Sequence, residues 1–205
     1  MDGNARLPNI IDADAVVFLV RHKEEKENSM NQIELRPLWK NEVELFVKEI
    51  QIAFDKAVIE KFGPQKESVI PREDVEKSLY GKNAETFRIV ADGKGVGGVV
   101  VSINKETQHN ALELLYINPD CHSKGIGQKV WQMIEEKYPH TKVWETHTPY
   151  FETRNIHFYV NRCGFHIVEF FNSRHPDPHE MERENGDREM PGGDGFFRFE
   201  KVMQK

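Results

Sequence analysis

The stretch "ETFRIVADGKGVGGVVVSIN" sets the strongest constraint on the fold, because Asp92-Gly93 stands between two runs rich in β-branched residues. An Asp-Gly pair flanked in this way reads as the turn of a β-hairpin. Part of the sheet is therefore expected to be antiparallel. The glycines at 95, 97 and 98 are expected to ease a bend or bulge in that hairpin.

The hydrophobic period differs on either side. Ile33 and Leu35 alternate as in a strand. Val43, Phe46, Val47, Ile50, Phe54, Ala57 and Val58 recur at helical spacing, and Gly63-Pro64 stops that helix. A short helix is predicted after Pro71 through Leu79, ended by Gly81. Beyond the hairpin, "NALELLYINP" reads as a strand stopped by Pro119. A turn then leads into a helix with Ile126, Val130, Met133 and Ile134 on one face. "TKVWETHTP" is a strand. Residues 153–163 form a helix with Ile156, Tyr159 and Val160 inward, ended by Gly164. "FHIVEFF" and "FFRFEKVM" are strands on either side of a long polar loop, residues 172–195. The order is strand, two helices, three strands, helix, strand, helix, two strands. This is an α/β or α+β domain with a mixed sheet.

A chain of 205 residues fits one domain with an extension. Residues 1–29 are read as an N-terminal extension, flexible or docked, and residues 30–205 as the domain. The run "IIDADAVVFLV" is broken by Asp12 and Asp14 and has no basic segment before it, so it is not read as a signal peptide. No apolar run reaches the roughly 18 residues of a membrane helix. Cys121 and Cys163 lie far apart without CxxC spacing, which suits reduced thiols in a cytoplasm. The net charge of -6 argues against nucleic acid and suits a cationic substrate.

The stretch "CHSKGIGQKVWQMIEEKYP" puts Gly125 and Gly127 at a helix start. A dinucleotide fingerprint fails at Val130, where a third glycine is needed. A phosphate loop of the form GxxxxGK[ST] is absent. A short anion-binding turn remains, as does a bare turn. Helix-opening amides have no partner within the helix, and glycine lets backbone approach a phosphate closely.

The surroundings decide between these two. "LLYINPDCHSKGIGQKV" resembles motif A of the GNAT acetyltransferases, Q/R-x-x-G-x-G/A after a strand, with His122 where Gln or Arg is usual. "NIHFYVNRCGF" is similar to that family's motif B, in which Asn begins a helix and a Tyr precedes xxxGF, through Asn155, Tyr159, Gly164 and Phe165. The resemblance implies a GNAT-like, mostly antiparallel mixed sheet of about seven strands flanked by about four helices. It also implies transfer of an acetyl group from acetyl-CoA to a primary amine of a small molecule or peptide. A CoA-binding regulatory or interaction module with little catalysis is the alternative, and a homodimer stays open.

The resemblance further assigns roles. His122, Ser123, Lys124, Gly125, Ile126, Gly127 and Gln128 would cradle the CoA pyrophosphate. Leu115, Tyr116 and Ile117 would pair with the pantetheine arm, an amide near Tyr116 or Ile117 facing the thioester oxygen. Glu113 is the candidate general base, with Glu145 and His147 as alternatives on one face of the next strand. Tyr159 would protonate the leaving thiolate. Asn155 is expected to contact the arm or cap its helix. A covalent route through either cysteine has no His-Asp partner pattern behind it. In "HPDPHE", His175, Asp177, His179 and Glu180 lack a fixed metal geometry, and no metal is expected.

Overall fold

A computed structural model of the chain describes residues 32–122, 125–178, 193 and 195–204. The extension expected over residues 1–29 lies outside these residues, as do Ser123, Lys124, His179 and Glu180.

Seven strands form one sheet: β1 (Ile33–Pro37), β2 (Ala84–Ala91), β3 (Lys94–Ser102), β4 (His109–Ile117), β5 (Val143–Pro149), β6 (His166–Phe171) and β7 (Phe196–Val202). Their order is β1-β2-β3-β4-β5-β7-β6, and every pairing is antiparallel except β4 with β5. Helices α1 (Val43–Phe62) and α2 (Arg72–Leu79) cover one face. Helix α3 (Ile126–Lys137) and helix α4 cover the other. Helix α4 opens as α-helix at Thr153–His157 and continues as π-helix through Phe158–Cys163. The order of elements matches the one expected from hydrophobic period.

The local chemistry follows the sequence closely. Asp92 (φ 49°) and Gly93 (φ 74°) make the hairpin turn. The β2–β3 register breaks between Ile89 and Val90, and Val96 is the extra residue of the bulge. The neighbouring glycines have a second reason to be small. A Cβ on Gly97 would lie 2.2 Å from the Tyr116 carbonyl oxygen, and one on Gly98 2.1 Å from the Phe46 ring. Gly63, at φ 82°, ends α1 and donates to the Ile59 carbonyl at 3.0 Å.

Two details differ from expectation. Helix α2 is capped at Tyr80, one residue before Gly81, and the left-handed residue that turns the chain is Asn83 (φ 67°). On α3 the buried stripe is Ile126, Val130, Trp131 and Ile134, while Met133 is half-buried. Trp131 packs against Trp144 (centroids 5.2 Å) and Phe165 (5.0 Å). The indole removes more apolar area from water than a methionine would, so the helix rotates to bury it.

The backbone departs from regularity at β4. Val100 pairs with Leu114 and Val101 with Leu112, so Glu113 is an extra residue. Plain alternation would keep Leu112 and Leu114 on one face. The bulge sends Leu112 into the core under α3 and α4, and Leu114 into the core under α1 and α2. Glu113 is left exposed.

Candidate active site

The site begins where β4 and β5 part. They pair in parallel only over His109–Val143, Asn110–Trp144 and Ala111–Glu145. Buried Asn110 locks this base, donating to Thr141 Oγ1 at 2.7 Å and accepting from the Asn104 amide at 2.8 Å. Past Ala111, β4 pairs with β3 alone and β5 with β7 alone among the described residues. The sheet is therefore forked. A cavity of about 1180 Å³ opens here, lined by Glu113, Leu115, Tyr116 and Ile117 of β4 and Thr146 and His147 of β5. Asn155 and Tyr159 of α4 and Phe54 and Val58 of α1 also line it.

Tyr159 stands at the apex of the fork. Its ring packs among Phe158, Phe165 and Phe199. Thr146 lies beside its hydroxyl, and Thr146 Oγ1 donates to the Leu112 carbonyl at 2.9 Å. Burial pushes the phenol up to about 12, so it holds its proton at neutral pH. Four residues separate Tyr159 from Gly164, one more than the three of the motif B pattern. The π-helical turn takes up the extra residue, and the Gly164 and Phe165 amides both reach the Tyr159 carbonyl.

Asn155 is the third residue of α4, not its cap. Glu152 is at the N-cap, and the Asn155 side chain donates to Thr148 Oγ1 at 3.2 Å. The capping alternative is therefore overturned. Burial raises the Glu152 carboxyl above the usual range, with Lys61 and Arg154 opposing that shift.

The glycine turn closes the far end. Gly125 (φ 71°) caps α3, and a Cβ there would meet nothing within 4 Å. The first amide bonded within the helix is that of Lys129, to Gly125 at 3.1 Å. The amides of Ile126, Gly127 and Gln128 have no intrahelical acceptor. Gly127 touches α4: a Cβ would lie 3.3 Å from the Phe158 ring. His122 bonds the Ile117 carbonyl through Nε2 at 2.8 Å. Its Nδ1 meets the Arg154 guanidinium at 2.9 Å, so the ring is an Nε2–H tautomer accepting at Nδ1.

Other candidates are used differently. Glu145 and His147 share one face of β5, opposite buried Trp144 and Thr146, as alternation requires. Glu145 accepts from Arg198 at 2.9 Å. Arg198 also bonds Glu200 and Glu169, and its guanidinium fills the place a cation would take near His109, Glu145 and Glu200. His175 bonds Glu169 at 2.8 Å. Burial raises the Cys163 thiol to about 12, which keeps it from acting as a thiolate. Sequence reasoning missed Thr146 and Arg154. Neither carries a local signal, since each matters only through a partner on another element.

The sheet is thus forked, with a glycine turn opening a helix at its mouth and a neutral tyrosine at its apex. The chain belongs to the acetyltransferase (GNAT) family, whose model matches residues 55–165. It is 52% identical over 163 residues to the uncharacterised protein YrkN of Bacillus subtilis strain 168, covering 78% of this chain and 88% of that protein. Solved structures share the fold. A Bacillus subtilis acetyltransferase in complex with CoA is 16% identical, with a TM-score of 0.58, covering 85% of this chain and all of its own. A spermidine N-acetyltransferase from Vibrio cholerae, in complex with CoA and spermine, is 13% identical with a TM-score of 0.57. That match covers 83% of this chain and 95% of the Vibrio protein. The chain is thus an N-acetyltransferase of GNAT type. No helix among the described residues is long and apolar enough to cross a membrane.

Proposed function

We propose that the protein transfers an acetyl group from acetyl-CoA to a primary amine of a small molecule or peptide by direct attack. The observation that carries this is the fork between β4 and β5, with protonated Tyr159 at its apex and the Gly125 turn at its mouth. The amides of residues 125–128 receive the CoA pyrophosphate, together with those of Ser123 and Lys124. The edge of β4 at Leu115, Tyr116 and Ile117 pairs with the amides of the pantetheine arm, and Asn155 contacts that arm. An amide of Tyr116 or Ile117 donates to the thioester oxygen as it becomes an oxyanion.

Glu113 takes a proton from the incoming ammonium, directly or through one water. The bulge supports this role by bringing the carboxylate to the cavity wall. The neutral amine then forms the C–N bond, and the tetrahedral intermediate collapses by breaking the C–S bond. Tyr159 gives its proton to the departing thiolate, the second proton of the new C–N nitrogen returns to the phenolate through water, and the proton held by Glu113 passes to solvent. The net charge of -6 supports a cationic acceptor. Reduced thiols support a cytoplasmic setting, and the same negative charge supports a protein without a nucleic-acid partner.

Thermal shift with acetyl-CoA, followed by thiol release across a panel of polyamines, amino acids and peptides, tests this reading. Stabilisation with CoA release on one amine class is expected. Stabilisation without release from any amine would make the protein a CoA-binding module instead.

A further inference from the structure

We propose that Arg154 is a phosphate ligand for CoA, held over the glycine turn by His122. This rests on the reading of that turn as the pyrophosphate cradle. The turn itself has no Gln or Arg at its first position, and His122 stands there. The structure assigns the cationic role to another element. Arg154 and Phe158 are four residues apart and share one face of α4. Phe158 lies against Gly127, and Arg154 meets His122. These two contacts place that face of α4 along the turn, with the guanidinium at its entrance. Arg154 is exposed and lines the same cavity as His122 and Asn155.

His122 acts as a positioning residue. Its Nε2–H is spent on the Ile117 carbonyl at 2.8 Å, which fixes the ring and its tautomer. Nδ1 then accepts one guanidinium N–H at 2.9 Å. A guanidinium carries five donors, so a fork of N–H groups remains for a diphosphate. The geometry explains how a neutral imidazole can stand at the first position of the motif. The cation is supplied from α4, and the imidazole aims it.

The test is calorimetric affinity for acetyl-CoA, acetyl-dephospho-CoA and acetyl-pantetheine, in the wild type and in Arg154→Gln, His122→Leu and His122→Gln. Circular dichroism and thermal melts confirm that each variant folds. Arg154→Gln is expected to weaken acetyl-CoA and acetyl-dephospho-CoA about ten- to thirtyfold and leave acetyl-pantetheine within about twofold. His122→Leu is expected to lose part of that affinity. His122→Gln, which can both donate to Ile117 and accept from Arg154, is expected to restore it. An Arg154→Gln variant with wild-type affinity for acetyl-CoA overturns the proposal. Equal losses for acetyl-pantetheine overturn it too, because a packing defect would then explain them. A loss confined to acetyl-CoA moves the contact to the 3′-phosphate and overturns the pyrophosphate assignment. A wild type that binds no CoA at all overturns the functional reading as well, so the two failures are distinguishable.

Discussion

Tyr159 and Glu113 reach the cavity by different physical routes, and substitutions separate them. Tyr159 is buried and aromatic-packed, so its proton is retained by desolvation. Tyr159→Phe is expected to lower kcat roughly a hundredfold while acetyl-CoA affinity stays within about twofold. Steady-state kinetics beside calorimetry checks this, and unchanged turnover would remove the residue as proton donor. The pH dependence follows from the same burial. The folded phenol titrates near 12, against an ordinary value near 10. Because the folded value is raised, its contribution to stability is complete below about pH 10 and is lost as pH rises toward 12. Catalysis should show no alkaline limb below about pH 10 that Tyr159→Phe abolishes. Glu113 is exposed at a bulge and, as the proposed base, has only to accept a proton. Glu113→Gln is expected to cost about ten- to a hundredfold in kcat/KM at pH 7. The deficit should shrink as pH approaches the acceptor's own pKa, since the amine then arrives neutral. A constant deficit across that range would exclude the base role.

Among the elements, the turn into α3 and the bulge in β4 make the proposed site. Gly125 needs a left-handed conformation, which costs a β-branched residue about 1–2 kcal/mol before any ligand is considered. Gly127 needs room beside Phe158. Valine at Gly125, or isoleucine at Gly127, is expected to abolish CoA binding by calorimetry while the far-UV spectrum is kept. Alanine at Gly127 should cost much less, because the Phe158 ring has only to give by a few tenths of an ångström. The turn was legible in the sequence because two glycines before an amphipathic run have few structural meanings. The bulge was not. In "ALELLYI" the apolar residues fall on both parities after Glu113, so the slip hides inside a continuous apolar run. It shows only once Val100 and Val101 are paired with their partners on β4.

At the scale of the whole molecule, helix α1 is tied to the sheet by a buried polar cluster. Arg88 donates to Glu49 at 2.9 Å and to the Tyr116 hydroxyl at 2.9 Å, and Tyr116 donates to Glu49 at 3.0 Å. Arg88 is 4% exposed. Burial, helped by the Glu49 charge, pushes the Tyr116 phenol well above its usual range. Glu49→Ala would strand the guanidinium in the core, and about 3–5 kcal/mol of stability should be lost in urea titration. A loss below about 1 kcal/mol would mean that water reaches Arg88. The sequence alone determined the elements, their order and the residues of the glycine turn, because hydrophobic period, Asp-Gly and Gly-Pro punctuation act over a few residues. Tertiary structure alone decided the fork, the approach of Thr146 to Tyr159 across it, and the meeting of His122 with Arg154. Each of these joins groups far apart in the chain. Their geometry depends on how two strands splay and how one helix lies across them, which no local pattern encodes.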